Sequence, residues 1–184
     1  MRWLRLLAPL LLVVLGACAL TPGTASYLAE PAGPYHLDSG DVVKVTVYGD
    51  ANLTATYKVG DSGTIALPLV GPVPVRGLTT DAAAARITAA LAKGYMRNPN
   101  VAVEVDAYRP FYIQGAVKSA GQFPYVYGMT VRAAISTAGG FTATADRGSA
   151  TVYRNQGDKV VKDTVNLDFP IYPGDTIVVA ERWF

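Results

Sequence analysis

The chain has 184 residues and a formal net charge of +2, an excess equal to Arg2 and Arg5 in a start without acidic residues. The rest of the chain is therefore near neutral, which argues against a nucleic-acid partner, because that partner requires a basic patch or stripe. The single cysteine excludes a disulfide within one chain, and the single histidine, His36, excludes a multi-histidine metal site or proton relay.

The N-terminus has the organisation of a secretory signal, with two arginines followed by an apolar run at residues 6–15. Such a run is too short to cross a bilayer, which takes roughly twenty residues. Gly16 and Ala17 precede Cys18, and residues 15–18 resemble the lipobox of bacterial lipoproteins. This position favours lipidation of Cys18 over an incidental apolar cysteine. We predict a lipoprotein signal peptide at residues 1–17. The lipobox resemblance, with Ala19 in place of a retention aspartate, implies the periplasmic face of the outer membrane.

Residues 18–34 are rich in Pro, Gly, Ala and Ser and are interpreted as a flexible tether. After them Val43, Val45 and Val47 alternate with Lys44, Thr46 and Tyr48, the period-two pattern of a half-buried strand. Residues 61–63 predict a turn and residues 64–67 a second strand. The prolines that follow restrict the chain to edge strands or extended connections.

A helix is predicted next, with Thr80 as its cap, Asp81 in its first turn, and Lys93 and Gly94 at its end. Its expected buried face comprises Ala83, Ile87, Ala90 and Leu91. Val101, Val103 and Val105 then alternate with Glu104 and Asp106 as another strand.

A second unit follows, in which a helix at residues 130–138 begins at Thr130 and stops at Gly139. Its predicted buried stripe is Val131, Ala134, Ile135 and Ala138, and its predicted strands are residues 111–117, 121–127 (with a turn), 150–154, 160–165 and 176–179. Strands with one helix in each half predict an α+β fold of two small modules. We place their bounds at residues 35–107 and 108–184.

Residues 37–43 and 171–177 resemble each other, because Gly40-Asp41 and Gly174-Asp175 each stand before a predicted strand. A glycine there can take the positive φ of a tight turn, and an aspartate can accept from backbone N–H groups. A common turn used twice is preferred to a true repeat. Further turns are predicted at Gly63, Gly121, Gly139 and Gly140.

Three segments in this order resemble the outer-membrane polysaccharide export family: residues 35–45, 59–71 and 75–79. The second unit resembles a soluble-ligand-binding β-grasp (SLBB) domain through residues 111–117, 120–125 and 133–140, with Ala120 where that domain usually has proline. The resemblance implies a non-enzymatic component of a translocon that exports exopolysaccharide or capsule polysaccharide. No cofactor is expected.

The resemblance also implies partners. These are further copies of the chain in a ring, an inner-membrane polysaccharide co-polymerase and the polysaccharide itself. Family members that build their own pore carry a further C-terminal helix, so we predict a separate outer-membrane β-barrel as the pore. The alternative is a monomeric periplasmic lipoprotein that binds a saccharide or another small ligand.

Candidate site residues are few. Asp61 and Glu104 lack the paired geometry that a glycosidase needs and are interpreted as surface acids, so no catalytic residue is predicted. Tyr112, Tyr125 and Tyr127 are possible saccharide or subunit-interface contacts, because the C–H faces of sugars stack on aromatic rings. Packing within the sheet is the favoured alternative for this aromatic group.

Overall fold

The computed structural model describes residues 33–157 and 159–182, so the predicted signal peptide, Cys18 and most of the tether lie outside the described residues. Within those ranges the fold is α+β, with short strands and one helix in each half of the chain. The strands are β1 (Val42–Val47), β2 (Ala55–Lys58), β3 (Thr64–Leu67), β4 (Gly71–Pro74), β5 (Val101–Ala107), β6 (Phe111–Gly115), β7 (Gly121–Phe123), β8 (Ser149–Gln156), β9 (Lys159–Asn166) and β10 (Thr176–Val179). The helices are α1 (Thr80–Leu91) and α2 (Val131–Thr137).

The first module is built on β1, which pairs antiparallel with β2 on one side and β5 on the other. The three alternating valines of β1 are buried, because successive side chains of a strand point to opposite faces and this face meets the core. Helix α1 packs on β5, and the β3–β4 hairpin adds Ile65 and Val73 to the same apolar cluster.

The predicted N-cap of helix α1 is wrong by one residue. Thr79, and not Thr80, is the N-cap: its hydroxyl accepts from the Ala82 N–H at 3.2 Å and its backbone is extended. Two threonines stand side by side, and either has the side chain that a cap requires. Sequence could not distinguish them, since the choice depends on where the chain leaves the hairpin.

Three strands differ from the prediction. The segment predicted as a turn and strand at residues 121–127 forms a strand only at Gly121–Phe123. Strand β2 was not predicted, because this sheet-edge strand is mostly exposed and therefore lacks an alternating apolar pattern. Strand β6 ends at Gly115 instead of residue 117. Gly115 has φ 91°, which turns the chain out of the ladder, and a Cβ placed there would lie 2.1 Å from the carbonyl oxygen of Val179.

The second module is a five-stranded sheet in the order β7-β6-β10-β8-β9. Strand β10 pairs parallel with β6 and antiparallel with β8, so the two outer hairpins meet only through it. Helix α2 begins at the predicted cap, Thr130, and the positive φ of Gly139 ends it. Its four predicted core residues are all buried in the module's own apolar cluster.

Candidate binding site at the junction of the modules

The two similar turns predicted before β1 and β10 have the same geometry. Gly40 and Gly174 take φ values of 95° and 86°. The Asp41 carboxylate accepts from the Asp38 N–H at 2.8 Å, and the Asp175 carboxylate accepts from the Tyr172 N–H at 2.7 Å. Both aspartates are buried, at 0% and 1% exposure. Each carboxylate therefore closes its own turn from inside the protein.

An arginine satisfies each of these buried carboxylates. Arg154, from β8, donates to both oxygens of Asp175 at 2.9 and 2.7 Å, the two-pronged geometry that makes an arginine–carboxylate pair strong. Asp41 is served by Arg109, whose backbone N–H donates at 2.9 Å and whose guanidinium lies 3.4 Å away. The first pair lies within one module, whereas the second joins the strand entry of one module to the start of the other.

Arg109 lies between the two turns. A methyl group placed on Gly40 would lie 3.4 Å from the Cβ of Arg109, and one placed on Gly174 would lie 2.9 Å from its Nε. The Gly174 N–H also donates to the carbonyl of Pro110 at 2.9 Å. Both glycines therefore allow the chain to approach this side chain closely. We call Arg109, Asp41 and the two turn glycines the junction latch.

A groove of about 620 Å³ runs beside the junction latch. Its charged lining is paired: Arg109 contacts Asp38 at 3.4 Å, and Arg76 contacts the same aspartate at 3.1 Å. Arg76 also donates to the hydroxyl of Ser39 and the carbonyl of Asp61. Asp38 is shared by both arginines, and Arg109 also contacts the buried Asp41, so two carboxylates balance two guanidinium groups and an anionic ligand gains little there.

A smaller pocket of about 160 Å³ adjoins this groove, and we call it the tyrosine pocket. Its aromatic lining is Tyr35, Tyr125, Tyr127 and Tyr172, and the remaining lining residues are Gly33, Gly128, Pro170 and Ile171. Two of the predicted contact residues, Tyr125 and Tyr127, therefore lie together. The third, Tyr112, lies apart on β6, where it is 44% exposed on the face opposite the buried Phe111 and Ile113.

The hydroxyls of Tyr35, Tyr125 and Tyr172 stay protonated well above neutral pH. Burial raises the pKa of Tyr125 and of Tyr172 above the ordinary value. Burial also raises the pKa of Tyr35, with a further contribution from its hydrogen bond to the Asp41 carboxylate. A protonated hydroxyl both donates and accepts, so those of Tyr125 and Tyr172 can match the hydroxyls of a neutral polar ligand.

The remaining predicted residues are spread over both modules. Gly63 has φ 76° and lies under Arg76, Gly121 begins β7, and Gly140 follows Gly139 after α2. The two acids considered for catalysis, Asp61 and Glu104, are exposed. Among residues 33–157 and 159–182, no group of three His, Cys, Asp or Glu side chains is placed to hold a metal ion.

Sequence reasoning missed Arg109, Tyr35 and Tyr172. Tyr172 had a usable signal, since it stands inside the second of the two similar turns. Arg109 had none, because its partner Asp41 lies 68 residues earlier and no local pattern links them. The Tyr35 hydroxyl forms hydrogen bonds with both Asp41 and Arg109.

Residues 29–106 match the family model of polysaccharide biosynthesis/export proteins, and residues 110–163 match that of the SLBB domain. Arg109 of the junction latch lies between the two matches. The chain therefore carries a polysaccharide biosynthesis/export domain followed by an SLBB domain. In the described part of the chain, every helix is too short or too polar to cross a membrane.

Curated relatives agree with this assignment. Exopolysaccharide production protein ExoF of Rhizobium meliloti (strain 1021) is 39% identical over 133 residues, which are 71% of this chain and 28% of ExoF. Two sequences of the polysialic acid transport protein KpsD of Escherichia coli are 30% and 29% identical over 161 residues, which are 80% of this chain and 28% of each relative. The chain therefore spans little more than a quarter of the length of these relatives.

Proposed function

We propose that this protein is a non-enzymatic lipoprotein component of a translocon that exports exopolysaccharide or capsule polysaccharide. The observation that carries the proposal is the succession of an export domain and an SLBB domain in one chain, which is similar to relatives named for exopolysaccharide production and polysialic acid transport. The junction latch supports it, because it connects the two domains through Arg109 and the buried Asp41.

The proposed assembly follows from the same family. Copies of the chain form a ring at the periplasmic face of the outer membrane, held there by lipid on Cys18. The ring receives polymer from an inner-membrane polysaccharide co-polymerase and passes it to a separate outer-membrane β-barrel. The export domain comprises residues 35–107 and the SLBB domain residues 108–184. Transport of this kind needs docking surfaces and a passage, and no reacting group.

Deletion of the gene tests the function. Secreted and surface polysaccharide should fall sharply in the deletion strain and return when the intact chain is supplied in trans. Assays of total and extracellular polysaccharide distinguish lost export from lost synthesis. Normal export in the deletion strain, in the absence of a second copy of the gene, would refute the proposal.

Substitution of Cys18 tests the anchor. A diacylglyceryl group supplies two acyl chains, whereas one chain gives only marginal binding to a membrane. The Cys18→Ser chain should therefore leave the membrane fraction and lose label from radioactive palmitate. Membrane fractionation that is unchanged by the substitution would contradict the assignment of Cys18.

A second candidate function is a monomeric lipoprotein that binds a saccharide or another small ligand. The observation that favours it is the tyrosine pocket, which combines aromatic rings with protonated hydroxyl groups. Native mass spectrometry of the full-length lipoprotein in detergent distinguishes the two candidates. A closed oligomer supports the ring, and a monomer at all concentrations supports the binding protein.

A further inference from the structure

Five of the ten tyrosines among the described residues gather at the tyrosine pocket. Tyr35 packs edge-on against Tyr108 with ring centroids 4.9 Å apart, and Tyr108 packs edge-on against Tyr125 at 5.4 Å. Tyr127 and Tyr172 complete the group at the open side. Tyr127 is 71% exposed, so its ring is a free aromatic surface beside a rigid, packed aromatic wall.

Tyr35, Tyr125, Tyr127 and Tyr172 line the pocket together, and Tyr108 connects the rings of Tyr35 and Tyr125. Burial raises the pKa of Tyr125 and of Tyr172, so their hydroxyl groups are protonated at neutral pH. The Tyr35 hydroxyl has a different task, since it donates to Asp41 at 2.6 Å and accepts from Arg109 at 2.9 Å. The junction latch therefore fixes one wall of the pocket.

Charge and size restrict what the pocket can hold. The nearest arginines are committed to carboxylates, Arg109 to Asp41 and Arg154 to Asp175, so the surroundings are close to neutral. The volume of about 160 Å³ is well below the 300–1,000 Å³ or so of pockets for drug-sized ligands. These features suit a single uncharged ring that carries both apolar C–H groups and hydroxyls.

We propose that the tyrosine pocket binds one uncharged pyranose unit of the exported polysaccharide. The C–H face of the sugar lies on the exposed ring of Tyr127, and sugar hydroxyls bond to the phenol groups of Tyr125 and Tyr172. This inference rests on the proposed function and deepens it, because it identifies a contact between polymer and protein. A weak contact with a single sugar unit keeps the polymer close to the oligomeric ring of protein copies and still lets the polymer slide.

The test uses the full-length lipoprotein in a detergent without a sugar head group. Saturation-transfer NMR is recorded with two probes, cellohexaose and oligosaccharides cut from the secreted polysaccharide of the same strain. Tyr127→Ala should weaken binding of at least one probe about fivefold to tenfold, the scale of a single aromatic contact. Tyr127→Phe should retain most of the binding because it keeps the ring. The matched control is Tyr48→Ala, since Tyr48 is 59% exposed and follows the end of β1 remote from Asp41.

Each outcome either supports or refutes the proposal. Binding that falls only in Tyr127→Ala supports it. No binding of either probe, equal binding by wild type and Tyr127→Ala, or an effect of Tyr127→Ala on oligomeric state alone would overturn it. Export assays on the same variants separate this inference from the proposed function. A chain that restores export but binds neither probe refutes the pocket and leaves the function standing, whereas normal export in the deletion strain refutes the function whatever the binding result.

Discussion

Two arginine–aspartate pairs in this protein have similar distances and very different surroundings. Arg154 and Asp175 are almost fully buried, and the Arg154 guanidinium also lies 4.8 Å from the centre of the Tyr172 ring. Arg132 and Asp168 are in contact at 3.0 Å, but their side chains are 58% and 77% exposed. Burial determines how much free energy of unfolding is lost when one partner is removed, because an unpaired charge inside a protein cannot recover its solvation.

We therefore predict that Arg154→Met lowers the free energy of unfolding by about 3–5 kcal/mol, since Asp175 is left buried without its cation. Arg132→Met, the matched control, should cost less than about 1 kcal/mol. Urea unfolding followed by circular dichroism measures both. Equal losses in the two variants would mean that burial of the first pair has no energetic consequence.

Tyr35 gives stability a dependence on high pH. Burial and its bond to Asp41 raise the pKa of its hydroxyl above the ordinary value of 10.0. Below pH 10 the hydroxyl is protonated in the folded and the unfolded chain, so its contribution is complete. Above pH 10 only the unfolded chain ionises, and the free energy of unfolding falls by up to about 1.4 kcal/mol per pH unit for that proton.

The expected result is that the stability difference between wild type and Tyr35→Phe shrinks as the pH rises from about 9 to about 11. Urea midpoints at each pH measure it, with Tyr48→Phe as a control at an exposed tyrosine. A difference that stays constant over this range would show that Tyr35 ionises equally in both states.

At the scale of elements, Gly115 at the end of β6 is the position least able to accept a side chain. Its φ is 91°, and a Cβ would lie 2.1 Å from the carbonyl oxygen of Val179 in the neighbouring strand β10. Gly71 has φ 75° as well, but nothing lies within 4 Å of a Cβ placed there. A side chain at either glycine would adopt the unfavourable left-handed backbone conformation. Only a side chain at Gly115 would also clash with a neighbouring strand.

Gly115→Ala should therefore destabilise the protein by about 3 kcal/mol or more, because β6 and β10 must separate. Gly71→Ala should cost only about 1–2 kcal/mol, the penalty of the left-handed conformation itself. Thermal unfolding of the two variants side by side makes the comparison. Similar losses would mean that β10 shifts without cost.

Local pattern determined how far the elements could be predicted. The alternating valines of β1 and β5 and the apolar stripe of α2 identified those elements, because each has one face in a core and one in solvent. Strand β2 escaped prediction because its surroundings impose no alternation. The junction latch was out of reach as well, since a contact between residues 68 positions apart depends on tertiary structure. Sequence identified both turns but could not show that they face one arginine.

At the scale of the molecule, the junction latch should make two cores unfold as one. Each module has its own apolar cluster, so each could in principle melt alone. Unfolding of either module alone would remove the contact between Arg109 and the buried Asp41 or the close contact between Arg109 and Gly174. The wild-type chain should therefore show a single calorimetric transition.

Arg109→Ala should split that transition into two or broaden it, since the side chain shared by both turns is lost. Arg86→Ala, at an exposed position on α1, is the control and should leave one sharp transition. Differential scanning calorimetry distinguishes the profiles. One sharp transition in Arg109→Ala would show that the modules are coupled by other contacts.

The central position of β10 in the second sheet also determines when that sheet can form during synthesis of the chain. A growing polypeptide emerges from its N-terminus onward, and β10 comes last of the described strands yet lies between β6 and β8. The sheet β2-β1-β5 has all its strands once Ala107 has emerged, whereas the two later hairpins wait as separate pieces with unpaired edges. Unpaired edges invite association with other chains. Nascent chains halted between Asn166 and Thr176 should thus be the most dependent on chaperones.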